Sequence, residues 1–442
     1  MRFGTDGIRG AANTALTPEL ALAIGRATAR TLGGPRIAVG RDTRRSGEML
    51  EAAFASGVMS EGVDVELLGV VPTPVVAHRS AAAGHGAAMM SASHNPAADN
   101  GIKVFAAGGL KLADDVEGRL EAELDRLSGS GADETAGRPG GVDVGITHRI
   151  DAVDAYLRHV VAALEGRHLG GLSVVLDVAN GAAVATAERV FSSLGASVHV
   201  VHSDPDGTNI NDRCGSTHPE SLVAEVVRSG ADCGFAYDGD ADRVLAVDRD
   251  GRVIDGDQLM GLLARDLLAR GRLAGGRIAL TVMSNLGLRL GLADAGIGIV
   301  ETAVGDRYVL EAMDRESLSL GGEQSGHIIL RDLATTGDGV LSSLMVADVM
   351  VRVGRPLDEL ADAAMQRLPQ VLRNVEISSP IPDVADRVRS AIAAAEAAMG
   401  ERGRVLVRPS GTEPVVRVMV EATDADTARH WTDVIAAEVD AL

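Results

Sequence analysis

The stretch CGFAYDGDADR (233–243) carries the apolar run CGFAY straight into three aspartates at alternate positions, Asp238, Asp240 and Asp242. A short apolar run ended by Gly and Asp reads as a buried strand opening into a loop. The same syntax recurs upstream in RIAVGRD (36–42), DVELLGVV (64–71), SVVLDVANG (173–181) and SVHVVHS (197–203), and downstream in RIALTVMSN (277–285). Ala-rich amphipathic stretches alternate with such runs, and GDQLMGLLARDLLARG (256–271) and GVLSSLMVADVMVRVG (339–354) read as helices. Strands alternating with helical stretches are the pattern of βα units around mainly parallel sheets, so the fold class is α/β. Thr17-Pro18-Glu19 predicts a helix start, with an N-cap, a proline at the first helical position and a carboxylate at the positive dipole end. A further helix begins near Ser46.

At roughly 150 residues per domain, a chain of 442 residues predicts about three units. The breaker-rich stretch SGSGADETAGRPGGVDVG (128–145) reads as a linker that closes a first unit at 149. A second unit over 150–255 and a third over 256–369 continue in the same style. The remainder, 370–442, reads as strand (NVEIS), helix (384–399), strand (RVLVR), strand (VVRVMVE) and helix (425–440), a smaller β-α-β-β-α block. The pattern thus raises the expectation from three units to four, with no short-period repeat.

Forty-two Lys and Arg against 62 Asp and Glu leave a formal charge of −20, which repels nucleic-acid phosphates and anionic lipid. Only nine aromatic residues, 5 Phe, 3 Tyr and 1 Trp, are too few for base-stacking platforms. No nucleic-acid or membrane partner is expected. Lys103 and Lys111 are the only lysines, so arginine supplies nearly all the positive charge. Cys214 and Cys233 form neither a Cys-x-x-Cys nor a zinc-finger spacing and read as reduced and packed. MRFGTDGIRG leads into no apolar leader core, and no stretch reaches 18 consecutive apolar residues, which predicts a cytoplasmic protein.

Four motifs carry chemistry. Three short carboxylates beyond a strand end can converge on one hard cation such as Mg²⁺, with a solvated acidic turn as the alternative. The spacing is not that of an EF-hand, because its sixth position is Arg243 and its twelfth Arg249. A phosphatase-type nucleophilic Asp-x-Asp needs a lysine after it, and both lysines precede it. The second motif, Ser91-Ala92-Ser93-His94-Asn95-Pro96, places a serine at a strand end beside a histidine; it reads as an activated hydroxyl or as a helix cap. Lys103 follows in Asp99-Asn100-Gly101-Ile102-Lys103, as a proton shuttle, a phosphate clamp or an ordinary solvated side chain. The third, Gly321-Gly322-Glu323-Gln324-Ser325-Gly326-His327, offers acceptors and donors suited to sugar hydroxyls. The fourth, Arg408-Pro409-Ser410-Gly411-Thr412-Glu413-Pro414 with Arg417, describes a phosphate pocket or a plain β-turn.

Together with FGTDGIRG (3–10), these motifs, in the chain order SASHNP, DGDADR, GGEQSGH and RPSGTEP and one per unit, resemble the α-D-phosphohexomutase superfamily over essentially the whole chain. FGTDGIRG, paired serines in SASHNP, VGDRYV (304–309) and GEQSGH point within it to the bacterial phosphoglucosamine mutase branch. The resemblance implies three similar α/β domains and a smaller C-terminal α+β domain around a central cleft. It implies that Ser93 carries a phosphoryl group and that Asp238, Asp240 and Asp242 hold Mg²⁺ with an oxygen from the phosphorylated Ser93. Lys103 would be the general acid/base, with Arg9, His94 and Arg243 near the reacting group. Glu323 and Ser325 would hold sugar hydroxyls and His327 would shape their loop. Arg408, Ser410, Gly411, Thr412 and Arg417 would bind the phosphate that is not transferred.

The implied reaction interconverts glucosamine 6-phosphate and glucosamine 1-phosphate, a step toward amino-sugar nucleotides and cell-wall precursors. It would pass through glucosamine 1,6-bisphosphate, with that compound or glucose 1,6-bisphosphate as activator, in a homodimer. The same chemistry on glucose or mannose phosphates is the alternative enzyme. A sugar-phosphate-binding regulator without turnover would need neither the serine nor the three aspartates.

Overall fold

The structure, a computed structural model, describes residues 4, 7–128, 138–377, 379, 381–410 and 414–442. Four sheets follow one another along the chain. The first has seven strands. Arg36–Arg41, Asp64–Val70, Gly86–Met90 and Thr147–Arg149 pair in parallel, while Asp99–Ala106 runs antiparallel to Gly86–Met90 and carries Ile8–Ala11 on its other side. In the second, Ser173–Asp177, Ser197–Val201 and Cys233–Tyr237 are parallel and Val244–Asp248 returns antiparallel. The third repeats the plan with Arg277–Thr281, Gly298–Thr302 and Leu320–Gly322 in parallel and Ile328–Leu330 antiparallel. The fourth, Gln370–Glu376, Arg404–Pro409 and Val415–Glu421, is antiparallel throughout. The expected α/β architecture with mixed, mainly parallel sheets and a smaller last block is the one observed.

Each of the first three sheets switches once from a parallel strand to an antiparallel neighbour across a short loop. Those loops are 91–98, 238–243 and 323–327, which contain three of the four chemical motifs. The ends of parallel strands are where open α/β sheets bind ligands, since the loops there leave the sheet without crossing it. The fourth motif lies between Arg404–Pro409 and Val415–Glu421, again between paired antiparallel strands.

Local chemistry agrees with the expected helix starts. Thr17 caps Pro18–Leu32 by accepting from the Leu20 amide, and Asp338 caps the buried helix Gly339–Val353 through the Leu341 amide. Two details depart from the sequence reading. The strand placed at NVEIS begins earlier, at Gln370, because Gln370 through Glu376 pair residue for residue with Glu421 through Val415. The single helix placed at 384–399 is two, Val384–Arg387 and Arg389–Met399, broken at Val388 (φ −101°, ψ 18°). Both cysteines are free and buried, and no described helix is long and apolar enough to cross a membrane.

One apolar core runs continuously from Ala38 in the first sheet through Phe235 in the second to Met365 behind the third. The last unit has its own core around Val384, Val418 and Ile435. Its seam with the third unit is polar. Glu421 accepts from Asn285 Nδ2 at 3.1 Å and from the Leu286 amide at 3.0 Å, while Arg404 donates to the carbonyls of Val282 and Ser284 and pairs with Glu421.

Beneath this seam Asp257 is fully buried; it accepts from the Asn285 amide at 2.7 Å while its Oδ1 has no partner. Burial first, and then the neighbouring Asp255 charge, push its carboxyl up to about 7. The folded state therefore retains a proton that the unfolded chain releases near pH 4, and the stability this proton confers is lost as pH rises to about 7. Asp257→Asn, neutral at every pH, is expected to gain on the wild type progressively from pH 4 to 7. At pH 8 the midpoint should lie ~2–4 °C higher. Thermal melts of both proteins at pH 5 and pH 8 check this, and equal shifts at the two values would refute it.

Candidate active site

The tight approach of two loops defines the site. A Cβ on Gly239 would come within 2.6 Å of the Ser93 carbonyl oxygen, so the acidic loop reaches the serine loop only because position 239 lacks a side chain. Ser93 itself has φ +53°, a left-handed conformation that costs a non-glycine residue about 1–3 kcal/mol. In that conformation its hydroxyl donates to Asp238 Oδ2 at 2.5 Å and lies 3.2 Å from His94 Nδ1.

Asp238, Asp240 and Asp242 are at most 5% exposed, and one carboxylate oxygen from each lies within 4.8 Å of the others. Burial first, then the charges of Asp242 and Asp240, drive Asp238 well above the usual carboxylate range. Burial also raises Asp242, but Lys103, His327 and Arg243 outweigh it and hold that carboxyl well below. Lys103 Nζ donates to Asp240 Oδ2 at 2.7 Å and to Asp242 Oδ2 at 2.9 Å. The second oxygens, Asp240 Oδ1 and Asp242 Oδ1, are buried with no hydrogen-bond partner. Orphaned carboxylate oxygens are costly unless a cation meets them, so this donor set fits a hard divalent metal ion.

Around the serine the charge is positive. Arg243 donates from Nη1 to His94 Nδ1 at 3.2 Å, which leaves the histidine proton on Nε2. Burial, Arg243 and Arg9 together push His94 down to about 4, so it is neutral near pH 7. Arg9 lies on Ile8–Ala11, paired opposite Gly101, two residues from Lys103.

The third loop packs against the second. The Val244 amide donates to the Gly326 carbonyl, and Gly326 takes φ +89° at that contact. Glu323 is half-buried, with Oε1 accepting from the Gly305 amide at 3.0 Å, and Ser325 is exposed. His327 is 3% exposed: Nε2 accepts from the Gly337 amide at 3.0 Å and Nδ1 faces Asp242 Oδ1 at 3.8 Å. Its ring therefore lies behind an aspartate of the acidic cluster, whereas Glu323 and Ser325 remain accessible.

On the fourth unit Arg408 and Arg417 stand opposite each other on paired strands. Like charges in cross-strand register disfavour the sheet unless an anion lies between them. Burial and Arg417 together lower Arg408. Ser410 donates its amide to the Val415 carbonyl at 2.9 Å, and Gly411 and Thr412 lie outside the described residues.

Several contributions to the site arise only from the fold. Thr73, the first residue of helix Thr73–Ala83, donates its hydroxyl to Asp240 Oδ2 at 2.6 Å. Lys111 pairs with Asp306, which lies 3.5 Å from His327 Nε2. Asn211 donates to the Ser93 carbonyl at 2.9 Å. The cluster RDTRR (41–45), at the end of a parallel strand, was the one local signal available for Asp42 and Arg44. A cavity of about 430 Å³ is lined by His78, Tyr156, His159 and Asp338 and by none of these loop residues.

Comparison with known proteins gives a consistent result. The phosphoglucomutase/phosphomannomutase family matches in each of its parts: alpha/beta/alpha domain I over residues 1–129, domain II over 154–251, domain III over 255–368 and the C-terminal domain over 355–438. A phosphoglucosamine mutase of Moorella thermoacetica is 52% identical over 96% of both chains, and one of Mycolicibacterium vanbaalenii is 52% identical over 99% of both. The crystal structure of a phosphoglucomutase/phosphomannomutase family protein from Burkholderia thailandensis superposes with a TM-score of 0.84 at 27% identity, covering 99% of this chain and 97% of its own.

Proposed function

We propose, from the premise that the chain belongs to the phosphoglucomutase/phosphomannomutase family and to its phosphoglucosamine mutase branch, that it interconverts glucosamine 6-phosphate and glucosamine 1-phosphate as a phosphomutase. The observation that carries the chemistry is the Ser93 hydroxyl, 2.5 Å from Asp238 at the edge of a buried cluster of three aspartates. The amino sugar rests on the relatives of about half-identical sequence.

In the forward direction phosphorylated Ser93 donates to the free sugar hydroxyl: the bond from phosphorus to serine oxygen breaks, and one from phosphorus to sugar oxygen forms. The resulting 1,6-bisphosphate turns over and returns its other phosphoryl group to the serine hydroxyl, whose proton replaces the one lost by the sugar. Catalysis of this kind is mostly positioning and charge neutralisation. Asp238, Asp240 and Asp242 would hold Mg²⁺, which when bound offsets negative charge at the transferring phosphoryl group. Lys103, held by Asp240 and Asp242, would pass protons between the serine and sugar oxygens. Arg9 and Arg243 would hold the phosphoryl oxygens, with His94 neutral beside them. Glu323 and Ser325 would grip sugar hydroxyls, and Arg408, Ser410, Gly411, Thr412 and Arg417 the idle phosphate.

The separate core and polar seam of the last unit support its moving over the reorienting intermediate. Catalytic glucosamine 1,6-bisphosphate or glucose 1,6-bisphosphate would restore phosphorylated Ser93 after loss. A cytoplasmic homodimer without nucleic-acid partners completes the proposal; the charge of −20 supports the last point.

The deciding experiment compares kcat/KM for glucosamine 6-phosphate, glucose 6-phosphate and mannose 6-phosphate, with Mg²⁺ and bisphosphate present. The amino sugar should lead by at least ~10-fold, the order expected of one well-placed polar contact. A lead for either neutral sugar overturns the assignment but leaves the phosphomutase chemistry standing.

A further inference from the structure

We propose that Arg44 is a positioning residue for phosphoryl transfer: together with Asn211 it holds the serine loop in the one conformation that turns Ser93 toward the acidic cluster. The inference rests on Ser93 being the phosphoryl carrier. The Arg44 side chain is 0% exposed, a rare place for a guanidinium, and all five of its N–H groups are used. Nη2 donates to the carbonyls of Ser93 at 2.9 Å and Asn95 at 2.8 Å. Nη1 donates to the carbonyl of Asp99 at 3.0 Å and also to that of Pro96, and Nε donates to Asp42 Oδ2 at 2.9 Å.

Three carbonyls of one irregular loop, and that of Asp99 where the next strand begins, thus end on a single planar cation. Asp42 fixes the fork from behind: its Oδ1 accepts the Arg44 amide at 3.0 Å. Its Oδ2 accepts the Ser91 hydroxyl at 2.7 Å, and Ser91 Oγ in turn accepts the Ser93 amide at 2.9 Å. The first of the paired serines, Ser91, is therefore part of the brace. From the second unit, Asn211 Nδ2 reaches the carbonyls of Ser93 and Asn95 at 2.9 and 3.1 Å, the same two that Arg44 Nη2 holds. A left-handed serine persists only where its surroundings over-determine it, and these contacts do so.

Arg44 touches loop backbone and the Asp42 carboxylate but none of the residues assigned to the sugar or the idle phosphate. Its loss should therefore act on the transfer step and spare substrate affinity. Arg44→Lys keeps the charge but lacks the planar five-donor fork. The test compares wild type, Arg44→Lys and Asn211→Ala as full chains by thermal melt, by kcat and KM, and by the rate at which Ser93 gains a phosphoryl group from glucose 1,6-bisphosphate, read by intact mass.

Folded Arg44→Lys should lose ~100-fold in both kcat and phosphorylation rate with KM within about 3-fold, the scale of a reacting atom misplaced by about 1 Å. Asn211→Ala should lose ~10-fold in the same two quantities. Folded Arg44→Lys phosphorylated at the wild-type rate overturns the proposal, as does a variant whose KM rises while kcat holds. If Arg44→Lys does not fold, Asn211→Ala decides: a wild-type rate there refutes the brace. A wild-type protein that never acquires phosphate on Ser93 instead removes the reading beneath the proposal, an outcome distinct from a wild type that is phosphorylated and a variant that matches it.

Discussion

Ser93→Ala is expected to lower turnover by more than about 10⁴-fold and to abolish the added mass of one phosphoryl group, while leaving the fold in place. The chemistry dictates the size of this effect. In a mutase that stores the phosphoryl group on its own chain, removing the acceptor oxygen removes both half-reactions, and no remaining positioning of the sugar restores either. The fold survives because alanine meets the same φ of +53° with the same Cβ, so the backbone strain is unchanged. The hydroxyl's contacts with Asp238 and His94 are lost, whereas the loop keeps the Ser93 amide bond to Ser91 and the carbonyl bonds to Arg44 and Asn211. Ser93→Gly provides the matched control: it lacks the same oxygen but relieves the left-handed strain, so it should be equally inactive and melt no lower than Ser93→Ala. Turnover within 10-fold of wild type in either variant rules out Ser93 as the carrier.

Asp240→Asn is expected to cost about 10³-fold in kcat, or roughly 4 kcal/mol of transition-state stabilisation, and to abolish the response of stability to Mg²⁺. In the wild type, Mg²⁺ at 100 times its dissociation constant should stabilise the folded chain by about 2.7 kcal/mol, because the converged carboxylates exist only when it is folded. The variant removes the charge of Asp240, the carboxylate whose Oδ1 is buried without a partner and whose Oδ2 is bonded to Lys103 and Thr73. It also removes one of the like charges that, after burial, raise Asp238. Without Mg²⁺ the variant should therefore melt no lower than the wild type, even as it loses activity. Melts of both proteins with and without Mg²⁺, beside kcat, check the pair of expectations. A full Mg²⁺-dependent shift in Asp240→Asn would place the cation elsewhere.

The legible and illegible parts of the site differ by distance along the chain. Asp238, Asp240 and Asp242 fall within five residues, so their convergence is a local property that the alternation of carboxylates announces. The Ser93, Glu323 and Arg408 motifs were legible for the same reason. Their contacts were not. Ser93 meets Asp238 across 145 residues, Lys103 meets Asp240 across 137, and Thr73 meets Asp240 across 167. Thr73 and Asn211 sit in stretches that resemble any other loop or helix start, and their roles arise only from what the fold sets opposite them. His327 shows the same limit. Its motif places it in the loop of Glu323 and Ser325, and only packing shows that its ring faces Asp242 and Asp306.

The acidic stretch that follows CGFAY, read alone, determined a strand, a loop and a cluster of carboxylates suited to a cation, because apolar runs, turn residues and carboxylate spacing act over a few residues. Sequence also determined the α/β class, the four units and, through the ordered motifs, the family. Tertiary structure alone decided that three of the motifs occupy the same topological position, where a parallel strand meets an antiparallel return. That repetition is written in strand order rather than in letters, so no sequence period discloses it. It also decided that a buried arginine holds the serine loop and that an amide from another unit shares its carbonyls. The physical reason is that hydrogen-bond satisfaction and burial are properties of what surrounds a residue, and in this protein those surroundings come from segments 49 to 145 residues apart.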